Sequence, residues 1–182
     1  AVFYRTNAQS RVLEDVLVRQ DVPYQVIGGP RFYERAEIRD ATAYLTVLVN
    51  PSDAGSLLRI ANRPRRGIGG TSLARLVTHA EARGLTLFQA MADPEAAGVT
   101  AAAARSIKGF HSTMETLMAA SHELLVDEVL ERVLEKMGII DAFEAERTIE
   151  ARGRIENLQE LVGVAREYRL ENAEPSLAGF LQ

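Results

Sequence analysis

The stretch Asn62-Arg63-Pro64-Arg65-Arg66-Gly67-Ile68-Gly69-Gly70-Thr71-Ser72 is the part of this sequence from which we predict the fold. An amphipathic segment precedes it over residues 56–61, and a second helical pattern begins at Thr71 or Ser72. Helix, Gly-apolar-Gly turn and helix is the order expected of a helix-hairpin-helix. Because glycine has no Cβ, the turn lets another backbone approach closely. We expect Ile68 to anchor the turn between the two helices.

The same turn has the chemistry of a phosphate site. The first amides of a helix have no partner within the helix, so they can donate to an anion. Four arginines lie between residues 59 and 66, and no acidic residue lies among them. An ordinary tight connection with solvated arginines is the alternative interpretation of this stretch alone. We therefore predict that this turn binds the backbone of a nucleic acid, through Arg65, Arg66, Gly67, Ile68, Gly69, Gly70, Thr71 and Ser72.

The composition is that of a globular protein with an uneven charge distribution. The chain has 182 residues, a formal net charge of −4 and no cysteine, which excludes a disulfide framework and thiolate chemistry. Residues 1–85 carry a net charge of +4, so a basic surface can coexist with an acidic remainder. No apolar run approaches the roughly 18 residues that span a membrane, and we expect no membrane partner. The opening residues lack Met and have strand character, so we expect a piece of a longer protein.

The hydrophobic pattern predicts a mainly α-helical fold preceded by a short βαβ piece. Residues 2–4 and 24–27 have strand character, and between them a helix capped by Asn7 or Ser10 has apolar positions at Val12, Leu13, Val16 and Leu17. After Pro30 the strand pattern ends. We then predict helices over residues 37–49, 56–61, 71–83, 86–92, 100–121, 126–137, 154–168 and 177–181.

Residues for catalysis are not apparent in the sequence. It contains no Gly-x-x-x-x-Gly-Lys-Ser/Thr loop, so no lysine is predicted to bind a nucleotide phosphate. His79, His111 and His122 stand apart from one another, and a metal site needs converging ligands. We therefore predict no catalytic residues, no metal ligands and no cofactor within this chain.

Two further polar clusters are candidates for phosphate contacts. Arg31, Arg35 and Arg39 recur every four residues and would form a basic stripe on one helix. Pairing of Arg35 with its neighbours Glu34 or Glu37 is the equally supported alternative. The second cluster, residues 4–11, follows the first predicted strand, where ligands of parallel sheets bind.

These motifs together resemble the UvrD/PcrA/Rep family of superfamily-one DNA helicases. Five runs match in order and spacing: residues 4–11 (YRTNAQSR), 28–35 (GGPRFYER), 37–40 (EIRD), 66–69 (RGIG) and 154–158 (RIENL). The resemblance implies that residues 1–28 are a piece of the RecA-like motor domain 2A. Residues 29–182 would be the helical domain 2B, which is inserted into it.

The resemblance also implies roles for single residues. Arg5 and Asn7 would contact single-stranded DNA, and Gly67, Ile68 and Gly69 would contact the duplex ahead of the fork. Arg39 and either Thr71 or Ser72 would touch the same duplex. The family often has lysine at the position of Arg39, so the charge is kept but the geometry differs.

A modular mechanism follows from the resemblance. The parent would be an ATP-dependent helicase of 3′-to-5′ polarity, with ATP and Mg²⁺ bound by motor motifs outside this chain. Domain 2B would grip the duplex at the junction and regulate unwinding, with a hinge at residues 28–30. The partners implied are a single-strand/duplex DNA junction, domains 1A and 1B and the rest of 2A, with repair proteins as further candidates. The implied location is the bacterial cytoplasm, at the nucleoid.

Two other classes of function stay open at this point. The acidic, helix-rich second half would also suit a protein-interaction or self-association module. A repair nuclease or glycosylase with a helix-hairpin-helix would need a catalytic carboxylate or lysine in a cleft. Lys108 and Lys136 are poor candidates because each lies in a helical pattern without such surroundings.

Overall fold

The computed structural model describes residues 2–4, 9–26 and 31–182. Over this part of the chain the regular structure is helical, as predicted for the main body. A short 3-10 helix at Phe32–Glu34 separates α1 from α2. The α-helices are α1 Ser10–Arg19, α2 Ala36–Val49, α3 Ala54–Ile60, α4 Gly70–Arg83, α5 Leu87–Ala90, α6 Ala101–Ser121, α7 Val126–Lys136, α8 Ile139–Glu146, α9 Ile149–Glu171 and α10 Leu177–Phe180.

One hydrophobic core joins the helices from α2 to α9. Helix α2 lies at its centre and packs against α3, α6, α7 and α9. Helix α3 packs on α2 and α5, and α4 packs on α5, so α5 supports both helices that flank the turn at residues 61–69. The largest fully buried side chains include Tyr44, Leu45, Leu57, Ile60, Ile68, Leu76, Ile107, Met114 and Leu130.

Local sequence signals determine several helix ends. Asp53 caps α3 by accepting a hydrogen bond from the Ser56 amide, at 3.1 Å. Thr86 and Gln89 form a reciprocal capping box at the start of α5, where the sequence predicts a cap. Gly84 ends α4 in the left-handed conformation, with φ of 63°. These ends orient α4 and α5 and thereby fix the direction in which the turn points.

Helices α3 and α4 begin one or two residues earlier than predicted, at Ala54 and Gly70, and two other helices differ more from the sequence expectation. Helix α8 was not predicted, and it follows directly after Gly138, whose φ of 65° redirects the chain at the end of α7. Helix α9 is longer than the predicted 154–168, because the Thr148 hydroxyl accepts a hydrogen bond from the Ala151 amide and caps it earlier. Helix α8 lines a groove together with residues of the turn, and α9 packs against α8.

The predicted βαβ piece is not confirmed. Residues 2–4 and 22–26 form no strand, and Ile27 lies outside the described residues. A strand requires hydrogen bonds to a neighbouring strand, and the described residues contain no strand that could provide them. The helical part of the prediction is correct, since α1 forms at Ser10–Arg19, although its N-cap position is Gln9.

Helix α1 packs with the opposite face from the one its sequence predicts. Its buried residues are polar, Ser10, Arg11 and Glu14, whereas Val12 and Val16 are about half exposed, at 53% and 51%. The polar face is buried because it meets a polar network. Arg35 donates to Asn157 Oδ1 at 2.9 Å and to Ser10 Oγ at 2.8 Å.

Candidate nucleic-acid interface

The turn between α3 and α4 is held in place by one apolar and one amide side chain. Ile68 is 1% exposed and belongs to the core, as predicted for an anchor. Asn62 Oδ1 accepts hydrogen bonds from the amides of Arg66, at 2.8 Å, and Ile68, at 3.2 Å. Gly67 between them has φ of 79°, a conformation that residues with a Cβ rarely adopt. These contacts define the conformation of the turn from within the protein.

Arg66 stabilises the turn from inside. Its guanidinium donates to the carbonyl oxygens of Ile60, Pro64 and Met137, at 3.2, 3.1 and 3.0 Å. It also lies 5.4 Å from the centroid of the Phe110 ring. With these donors occupied, Arg66 ties the turn to α3, α6 and the end of α7. We therefore assign it a structural role in place of the predicted DNA contact.

Tyr44 completes this internal support. Its hydroxyl accepts a hydrogen bond from Arg66 Nη2 at 2.8 Å and donates to the Arg63 carbonyl. Burial raises the pKa of Tyr44 to about 12, against the opposing effect of the Arg66 charge. The hydroxyl therefore keeps its proton at physiological pH and remains a donor to the turn.

The beginning of α4 presents unpaired backbone donors on the surface. Gly69 is the N-cap residue, and no side chain caps the helix. Gly69, Gly70 and Thr71 are exposed, and the Gly69 carbonyl accepts from the amides of Ser72 and Leu73. Within the described chain the amides of Gly70 and Thr71 have no hydrogen-bond acceptor. They are oriented by the helix and available to an anion.

Glycine at positions 69 and 70 is not required by the packing of this protein. A Cβ built at either residue meets no atom within 4 Å. Gly69 has φ of −79°, which any residue adopts, and Gly70 is helical. The absence of side chains there leaves the amides of α4 open to the approach of a bulky ligand.

The arginines around the turn divide into paired and unpaired groups. Asp40 on α2 accepts hydrogen bonds from Arg59 at 2.6 Å and from Arg63 at 3.4 Å. Two of the four arginines in residues 59–66 are therefore ion-paired. Arg65 is exposed and has no ion-pair or hydrogen-bond partner among the residues that the structure describes. Sequence reasoning missed Asp40 because it lies 19 residues from Arg59.

The predicted basic stripe of Arg31, Arg35 and Arg39 does not form. The chain is a 3-10 helix at Phe32–Glu34 and extended at Arg35, so the three residues do not share one helix. Arg35 is 5% exposed and binds Asn157 and Ser10 rather than Glu34 or Glu37. Arg39 is exposed on α2, one residue before Asp40, and its guanidinium is unpaired in the described structure. Arg39 remains a candidate contact, whereas the exposed Arg31 lies with its guanidinium 5.0 Å from the centroid of the Tyr24 ring.

The other predicted site residues lie elsewhere. Arg5 and Asn7, together with the proposed hinge at residues 28–30, lie outside the described residues. His111 is 9% exposed and packs against Phe88, with ring centroids 4.4 Å apart. No group of three or more acidic, histidine or cysteine side chains within the described ranges could hold a metal ion. None of the helices described there has both the length and the apolar character needed to cross a membrane.

The sequence matches the UvrD-like helicase C-terminal domain family over residues 1–182. The chain therefore belongs to this family of helicase domains. It is 39% identical over 181 residues to the ATP-dependent DNA helicase PcrA of Bacillus subtilis, covering all of this chain and 24% of that protein. It is 36% identical over 184 residues to PcrA of Staphylococcus aureus, covering 25% of it. The chain thus spans about a quarter of the length of these relatives.

Proposed function

We propose that this chain is the accessory DNA-binding part of an ATP-dependent 3′-to-5′ DNA helicase. Residues 29–182 act as domain 2B and grip duplex phosphates at the fork through a helix-hairpin-helix formed by α3, the turn and α4. The observation that carries this proposal is the exposed start of α4. There, the unpaired amides of Gly70 and Thr71 lie five and six residues after the exposed Arg65.

The duplex contacts we propose are a subset of those predicted from the sequence. Arg39, Arg65, Gly69, Gly70 and Thr71 are exposed and can reach a phosphate. Ser72 is half-buried, so exposure favours Thr71 as the hydroxyl that contacts DNA. Ile68 and Arg66 hold the turn in shape. Contacts with phosphates position a protein on DNA without reading the base sequence, so binding is expected to be indifferent to sequence.

Residues 1–28 belong, in this proposal, to motor domain 2A. The outward-facing valines of α1 support this division, because an apolar helix face is normally covered by another element. Domains 1A and 1B and the rest of 2A would supply the ATP and Mg²⁺ site. Arg5 and Asn7 would contact the single strand.

Fluorescence anisotropy of the 182-residue chain on a labelled duplex tests this function. We expect weak binding that is indifferent to base sequence. A plot of log K against log salt concentration should have a negative slope of about 0.9 for each phosphate contact. Arg65→Glu should lower the affinity, whereas Arg132→Glu, on the exposed face of α7, should leave it unchanged. Equal loss from both variants, or no binding by the natural chain, would overturn the proposal.

A second candidate is self-association through α1. Val12, Val16 and Val18 are each more than half exposed and lie on a single helix. Sedimentation velocity separates the two functions. A tight dimer that is disrupted by Val12→Asp and Val16→Asp, and that does not respond to DNA, would favour self-association over duplex binding.

A further inference from the structure

Two segments without acidic residues meet beside the turn. Residues 54–80 contain five arginines and residues 96–114 contain Arg105 and Lys108, and neither segment has an aspartate or glutamate. The chain as a whole has a net charge of −4, so this concentration of positive charge is local. In the sequence the two segments are separated by acidic residues, and only the fold brings them together.

Two contacts place the first half of α6 next to the turn. A Cβ built on Gly67 would lie 3.7 Å from Ser106 Oγ, so the turn passes directly over that hydroxyl. Arg75 on α4 donates to the carbonyl oxygen of Gly98, just before α6 begins. The first half of α6 therefore lies beside the turn that leads into α4.

Arg105 has the properties of a phosphate contact. It directly precedes Ser106 and is exposed, and in the described part of the chain its guanidinium has no acceptor. Three of its exposed neighbours on α6 have small side chains or none, namely Ala101, Ala102 and Gly109. Lys108, the other cation of this segment, is instead paired with Glu95 at 2.8 Å.

We propose that the N-terminal half of α6 is a second wall of the duplex-binding surface and that Arg105 binds a phosphate of the same duplex. This inference rests on the function proposed for the exposed start of α4, and it extends that function to α6, a helix in which no sequence motif was recognised. The small side chains of α6 allow the sugar-phosphate backbone to lie close to the helix. Contacts from two elements on either side of the turn would fix the orientation of the duplex as well as hold it.

Salt-dependent anisotropy of the 182-residue chain on duplex DNA tests this wall, with Arg105→Ala and Arg105→Glu as variants. Losing one phosphate contact should reduce the slope of log K against log salt by about 0.9 in Arg105→Ala. Arg105→Glu should weaken binding by about tenfold at low salt, because it also repels the phosphate. Arg132→Glu is the matched control, since it makes the same change on the exposed surface of α7, a helix that itself carries acidic residues. Circular dichroism verifies that each variant is folded.

The outcomes separate this inference from the function on which it rests. A reduced slope in both Arg65→Ala and Arg105→Ala, with Arg132→Ala unchanged, supports the wall. If Arg65→Ala reduces the slope and Arg105→Ala does not, the wall is overturned while the proposed function stands. If neither variant changes the slope, both proposals fail.

Discussion

Gly67, Gly69 and Gly70 are the same residue type, but they differ in backbone conformation and in the reason why glycine suits each position. Gly67 has a positive φ that the turn requires, whereas neither Gly69 nor Gly70 has a neighbour that excludes a Cβ. The first glycine therefore serves the fold, and we infer that the other two serve the ligand. This distinction can be measured.

Gly67→Ala should lower the free energy of unfolding by about 1–2 kcal/mol, because an L side chain is strained at this φ. Gly70→Ala should leave it unchanged or raise it by up to about 1 kcal/mol, since alanine is the better helix former. Chemical denaturation compares the two.

Gly70→Ala should nevertheless weaken duplex binding by about tenfold, or about 1.4 kcal/mol, because its methyl group lies beside the amides that donate to phosphate. Anisotropy at fixed salt measures the loss. If the variant keeps both its stability and its affinity, the duplex does not approach the start of α4.

Asn62 is the polar side chain on which the turn depends. Asn62→Ala leaves the amides of Arg66 and Ile68 without their acceptor, and we expect a loss of about 1–3 kcal/mol in unfolding free energy. Asn172→Ala is the control, because that exposed side chain caps only the end of α9. Urea denaturation should show a clear difference between the two variants, and equal midpoints would contradict the assigned role.

Among the helices, α1 shows how a partner can reverse an amphipathic pattern. Val12 and Val16 face solvent, whereas Leu13 and Leu17 are half-buried. The buried positions are instead polar, because Ser10 and Arg11 bond to Arg35 and to α9. Arg11 forms an ion pair with Glu160 on α9 at 2.6 Å. The attachment of α1 to the helical body is therefore polar, which is consistent with a contact between domains rather than a shared core.

Arg35→Met tests this attachment. Burial lowers the pKa of Arg35, and the nearby charges of Glu14 and Glu37 oppose that effect. The guanidinium also donates hydrogen bonds to Asn157 and Ser10. Removing a hydrogen-bonded charged group should cost about 1.5–3 kcal/mol of unfolding free energy. Arg19→Met, on the exposed end of α1, should change stability by less than about 0.5 kcal/mol. Similar melting curves for the two variants would contradict the role of Arg35.

Across the whole molecule, charge is divided between a basic turn region and an acidic second half. Within that half, Asp127 on α7 is buried and forms ion pairs with Arg166 and Arg169 on α9. Burial by itself raises the pKa of Asp127, but hydrogen bonds from Arg166, Arg169 and the backbone outweigh it, so the pKa lies below its ordinary value of 3.8.

The pKa of Asp127 is lower in the folded state than in the unfolded state. Asp127 therefore stabilises the fold fully when the pH is above its unfolded-state pKa, and this contribution is lost as the pH falls through its folded-state pKa. We expect the unfolding free energy of the natural chain to decrease when the pH is lowered below about 4. Asp127→Asn should be less stable at neutral pH and should show a smaller decrease on acidification. Urea titrations at several pH values measure both slopes, and parallel curves would contradict the assignment.

Much of the fold could be predicted because its signals are local. Gly84, Thr86 and the anchor Ile68 act on residues within a few positions, and the structure confirms each of them. The role of Arg66 could not be predicted, since its acceptor Met137 lies 71 residues away. Arg35 binds Asn157 across 122 residues, and a basic stripe was predicted in its place.

The sequence alone determined the mainly helical class, the position of the turn and the presence of a helix directly after it. Helical periodicity and capping are properties of neighbouring residues, so they can be recognised without coordinates. Only the tertiary structure decided which arginines face outward. Whether a guanidinium is available to a phosphate depends on acceptors such as Asp40 and Met137, which packing brings to it from distant parts of the chain.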